Sequence, residues 1–152
     1  MNKLNMFLLD DCTKVNANSS KISISGLKIK DNVLSISPSG IENKTIKTTV
    51  INVKTIEAGQ SISYGATFTA KDTMKIATIA VGYADGYSRL LSNCGRVLVN
   101  GQFANIVGRI CMDQCMIDVT NVHNIGIGDE VILFGADENE TLPIEELAVK
   151  LG

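Results

Sequence analysis

The side chains with chemistry to offer are unevenly spread along this chain. All three tyrosines (Tyr64, Tyr83, Tyr87) and all three arginines (Arg89, Arg96, Arg109) fall between positions 64 and 109. Something in that stretch requires phenols and guanidiniums. Tyr64 lies in Ser63-Tyr64-Gly65-Ala66-Thr67, where a strand meets a glycine, so the backbone can turn sharply and project the ring from a sheet edge. Tyr83 is framed by Gly82 and Gly86, and the same setting also suits an amphipathic plug with its hydroxyl in water. A second cluster runs from Gly108 to Met116. A buried pair of Arg109 and Asp113 beside exposed backbone amides would make an anion or carboxylate site, and a purely structural loop is equally compatible. Cys111, Cys115 and the lone His123 have no four-ligand zinc spacing, so no metal is expected. They offer no oriented Cys-His nucleophile either. Gly82-x-x-x-Gly86 fits neither phosphate-binding glycine pattern.

Such residues need a frame, and the sequence predicts a β one. Residues 1–43 are dense in Ser, Asn and Lys, with alternating runs over 21–25 and 27–30, a turn at Asp31-Asn32 and a further strand over 33–37. Pro38-Ser39-Gly40 punctuates before the next element. Strands are then expected over 47–55, 61–64, 74–81, 96–99, 102–109, 116–120 and 130–134. The MKIATIAV run should be buried on both faces, and Asn100-Gly101 supplies the two positive-φ residues of a type I′ hairpin. One helix starts at Pro143, with Glu145 and Glu146 in its first turn and Ile144, Leu147, Ala148 and Leu151 on one face. The predicted fold is mainly β: an antiparallel sandwich or partly open barrel of about eight short strands with one short C-terminal helix.

Composition bounds the rest. With 152 residues, 45% hydrophobic and 20% charged, the chain can bury a real core but is too short for a complete multidomain enzyme. A net charge of −2 removes the basic footprint that nucleic-acid binding needs. The longest N-terminal apolar run, Met6 to Leu9, is too short for a signal peptide or a membrane span. Four cysteines without a secretion signal read as free thiols, which points to the cytoplasm. The Asn-x-Ser/Thr matches at Asn18, Asn43 and Asn139 then read as chance.

Taken together, the motifs KTTVINVKTIEAGQSISYGATFTA, IATIAVGYADGYSRLLSN, GRVLVNGQFANIVGRICMDQCMIDVT and GDEVILFG resemble the C-terminal domain of bacterial alanine racemases, from about Lys44 to Gly152. There are departures. No lysine motif for pyridoxal phosphate (PLP) and no (β/α)8 barrel are present, and residues 1–43 do not match the expected barrel-to-domain junction. In the family, the stretch following Leu151-Gly152 carries another active-site tyrosine.

The resemblance implies a PLP-dependent, two-base racemase of fold type III, in which the β-domain of one subunit covers the barrel of the other in a head-to-tail dimer. Tyr64 then corresponds to the base opposite the barrel lysine. A free phenol has a pKa near ~10, so it acts near neutrality only where the barrel stabilises the phenolate. Tyr83 is similar to the tyrosine at the inner neck of the substrate corridor, and Arg89 and Arg109 to corridor residues further out. Met112 matches the position whose amide faces the substrate carboxylate, with Asp113 holding that loop. Cys111 and Cys115 remain structural. Alone, the chain is then inactive, pairing with a racemase barrel and with itself as a homodimer, with alanine the default substrate and serine the related one. A second reading, from a different class, is a stand-alone binding or assembly module that has recruited residues 1–43 to complete its sheet.

Overall fold

The computed structural model describes residues 45–151 in full and, before them, the backbone of three short strands: β1 (Ser23–Ile24), β2 (Lys28–Lys30) and β3 (Val33–Ser35). The expected turn at Asp31-Asn32 and the punctuation at 38–40 lie outside the described residues. The domain then runs through β4 (Ile46–Ile56), β5 (Ser61–Ile62), β6 (Phe68–Thr69), β7 (Met74–Ile79), β8 (Arg96–Val99), β9 (Gln102–Val107), β10 (Cys115–Asp118), β11 (Glu130–Ala136), β12 (Thr141–Leu142) and the helix α1 (Ile144–Leu151).

All pairings are antiparallel, and the main sheet has eight strands in the order β1-β4-β7-β10-β9-β8-β11-β12. Because β4 also pairs with β11, the strands β4, β7, β10, β9, β8 and β11 close on themselves, so of the two expected architectures the barrel is the one formed. Closure depends on the 11-residue β4 serving two neighbours. Its first half, Ile46–Thr49, pairs with β11, and its second half, Val50–Ile56, pairs with β7. The register breaks between Val50 and Asn52, where Ile51 stands exposed, and such a bulge bends a strand round a barrel corner.

Alternation fills the interior. Ala77, Ile79 and Val81 point into one core with Val97, Val99, Ile106, Ile117, Val131 and Leu133. Ile76, immediately before Ala77, faces outward into a second cluster with Ile56, Ile62, Ala70 and Val107, packed by Phe68 and Met74. The C-terminal half of β7 is therefore buried on both faces, and its outer cover is the small β5–β6 hairpin. The Asn100-Gly101 turn joins β8 to β9 with φ of 49° and 71°, as a type I′ turn requires. Helix α1 docks through Leu147, Ile144 and Leu151.

Candidate functional site

Tyr64 sits at the tip of the β5–β6 hairpin. Apolar residues on both sides of the turn, Ile62 and Phe68, anchor the hairpin to the outer face of β7, while the turn itself passes through positive φ at Ser63 (69°), Gly65 (75°) and Ala66 (49°). The expected strand through Tyr64 therefore stops at Ile62. A tight turn closed by the Ala66 N–H donating to the Ser63 carbonyl (3.1 Å) replaces it, and the ring stands 76% exposed.

Two further turns lie beside this tip. Residues Tyr83–Asp85 and Arg89–Leu91 form short 3-10 turns directly after the most apolar strand. The Asp85 carboxylate accepts the Gly82 N–H at 3.0 Å, and the Ser88 hydroxyl accepts the Leu90 N–H. The Arg89 guanidinium lies over the Tyr83 ring, 5.2 Å from its centre, a cation–π contact that holds both at the surface.

A strap formed by residues 108–112 joins the three turns. On one side the Ser63 hydroxyl is hydrogen-bonded to both the N–H and the C=O of Arg109, at 2.7 and 2.9 Å. On the other, the Tyr83 and Ala84 N–H groups donate to the Cys111 and Met112 carbonyls, each at 2.9 Å. The Asn93 side-chain Oδ1 accepts the Gly108 N–H at 2.6 Å and the Ser92 hydroxyl accepts the Ile110 N–H at 3.1 Å. The approach is so close that a Cβ on Gly82 would lie 2.3–2.4 Å from the Cys111 and Met112 backbone. Tyr64, Tyr83, Arg89, Arg109, Met112 and Asp113 thus ride on one hydrogen-bonded frame at one rim of the barrel.

The family comparison decides what this rim belongs to. Residues 44–152 match the family described as alanine racemase, C-terminal domain. The chain belongs to that family. It is 49% identical over 108 residues to an alanine racemase of Clostridium perfringens, covering 71% of this chain and 28% of the relative. Among solved structures, the alanine racemase from E. faecalis superposes with a TM-score of 0.66 at 41% identity, over 71% of this chain and 28% of that one. The alanine racemase from Bartonella henselae, solved with covalently bound pyridoxal phosphate, gives 0.65 at 34%, over 71% and 29%. The chain therefore spans little more than a quarter of the length of these racemases.

Within this racemase domain one expectation fails. Arg109 and Asp113 are both exposed and form no ion pair, because the strap reverses through Cys111 N–H donating to the Gln114 carbonyl (2.9 Å) and leaves both side chains in solvent. What the strap does present is the Met112 N–H, which has no hydrogen-bond partner among the described residues. Tyr87 is not part of the rim. It is buried at 1% exposure, and burial pushes its phenol well above the ordinary value. Burial, with Cys111 nearby, likewise pushes the Cys115 thiol up, so it stays protonated and inert.

The six rim residues include no lysine, so they do not fit the covalent seat of PLP. Ser63, Ser92 and Asn93 escaped the sequence reading. Ser63 precedes the tyrosine with no distinguishing pattern in the sequence.

Proposed function

We propose that this chain supplies the β-domain half of a PLP-dependent alanine racemase, covering the barrel of a partner subunit within a cytoplasmic dimer, with Tyr64 as one of two bases for L-/D-alanine interconversion. PLP would be held by the barrel, where it makes the substrate Cα–H acidic. Tyr64 Oη gives or takes that proton on one face while a barrel group serves the other, so configuration is lost. Tyr83 narrows the way in, and the cations of Arg89 and Arg109 draw an amino-acid carboxylate towards it. The free Met112 N–H then meets the carboxylate, with Asp113 in the same loop.

The observation that carries this reading is the contrast between two tyrosines of one domain: Tyr87 is sealed in the core, whereas Tyr64 is 76% exposed on a turn whose Ser63 hydroxyl is bonded to the rest of the rim. The rim holds no lysine to seat the cofactor, so the chain alone is expected to be inactive. The test is a chimera in which residues 44–152 replace the matching domain of the C. perfringens relative, assayed for D-alanine by chiral analysis. Activity is expected, and Tyr64→Phe should reduce it by at least about 100-fold. Racemisation by the 152-residue chain alone, with PLP added, would overturn the proposal. The alternative of a non-catalytic assembly module has one observation in its favour, the pairing of β1 from the N-terminal segment with β4.

A further inference from the structure

Exposure alone gives a side chain no fixed position, yet proton transfer at carbon requires one. Tyr64 can be held from the barrel side by a partner, but its place relative to Tyr83, Arg89 and Met112 is set within this domain, and a single side chain makes the link. The Ser63 hydroxyl both accepts the Arg109 N–H (2.7 Å) and donates to the Arg109 carbonyl (2.9 Å). It reaches that backbone only because Gly108 has no side chain, since a Cβ there would lie 2.3 Å from the Ser63 Cβ. Ser63 itself adopts φ of 69° and Gly108 φ of 79°. An L residue keeps a left-handed conformation only where its surroundings over-determine it, and glycine or asparagine would suit a turn that merely joined two strands. The strap that Ser63 grips continues directly into the carbonyls bonded to Tyr83 and Ala84.

We propose that Ser63 is a positioning residue, whose paired hydrogen bonds to Arg109 fix the Tyr64 phenol relative to the corridor formed by Tyr83, Arg89 and Met112. The inference rests on the reading of Tyr64 as a base. Misplacement of a reacting group by about 1 Å can cost about 100-fold in rate, while substrate binding by the other rim groups is untouched. The signature is therefore a loss in kcat and not in KM.

Two variants separate the hydroxyl from the backbone shape. Ser63→Cys keeps the size and the φ demand but offers only a weak hydrogen-bonding sulfur, and Ser63→Gly removes the φ demand together with the hydroxyl. In the 152-residue chain, both should raise amide hydrogen exchange at Arg109 by about tenfold or more, with Ile79 and Ile117 in the barrel unchanged. In the chimeric racemase, both should lower kcat by about 10- to 100-fold with KM within about twofold. Wild-type kcat in either variant overturns the proposal, and wild-type kcat in Ser63→Gly beside a loss in Ser63→Cys assigns that loss to turn geometry and not to the hydroxyl. Tyr64→Phe in the same chimera keeps the two ideas apart. If that variant stays active, the base reading fails whatever Ser63 does. If it is dead while the Ser63 variants run at the wild-type rate, only the positioning role falls.

Discussion

At the scale of single residues, glycine decides how the rim is built, for two different reasons. Gly108 needs its positive φ and its empty Cβ position, so a substitution there confounds strain with sterics. Gly82 is the cleaner case. Its φ of −147° is ordinary extended backbone, yet a Cβ would meet three backbone atoms of Cys111 and Met112 at 2.3–2.4 Å, and backbone cannot swing aside as a side-chain tip can. Gly82→Ala should therefore push the Tyr83 turn off the strap, at a cost of about 2 kcal/mol and a Tm lower by about 10 °C in thermal unfolding. Gly126→Ala is the matched control, because nothing lies within 4 Å of its Cβ position, and it should stay within about 0.5 kcal/mol of the parent. Equal losses in the two would show that the contact with the strap is not what Gly82 provides.

At the scale of elements, legibility in the sequence followed the range of the forces involved. The β8–β9 hairpin was readable because two adjacent residues fix a type I′ turn, and α1 because Pro143, two glutamates and an apolar face declare its start and its docking side. The two-residue strands β6 and β12 carry no period to detect and exist only because a neighbour is already there. What locks α1 was equally silent: Arg96, 50 residues from Glu146 in the sequence but adjacent in space, lies over Phe103 at 3.8 Å and grips Glu146 with two hydrogen bonds of 2.8 and 2.7 Å. Its guanidinium holds the Glu146 carboxyl below the usual carboxylate range. A carboxylate depressed in the folded state contributes stability that is fully present above the unfolded glutamate value of about 4.3 and is lost as the pH falls through the depressed one. Glu146→Gln should thus lower the Tm at pH 7 by roughly 4–8 °C, for a pair worth about 1 kcal/mol. That gap should persist to about pH 5 and close in more acid solution. A gap independent of pH would mean that the amide loses packing and not charge.

At the scale of the whole molecule, the question is which residues the barrel needs. The sharing of β4 between β7 and β11 was invisible in the sequence, because the β11 pairing joins residues more than 80 positions apart and no local pattern marks the bulge at Ile51 that divides the strand. The closed ring itself draws on no strand before β4. Every strand of the closed ring lies at or beyond Ile46, and among the described residues the N-terminal strand β1 adds Ser23 and Ile24 to an edge of β4 whose other side is already bonded to β11. Two residues of edge pairing are worth about 1 kcal/mol against a ring of strands that closes without them. A chain of residues 45–152 should therefore unfold cooperatively, with coincident transitions by circular dichroism and calorimetry and a Tm within about 8 °C of the full chain. A molten or aggregating product would show instead that the N-terminal segment completes the domain. The same outcome would move the balance towards an assembly module built on a racemase β-domain.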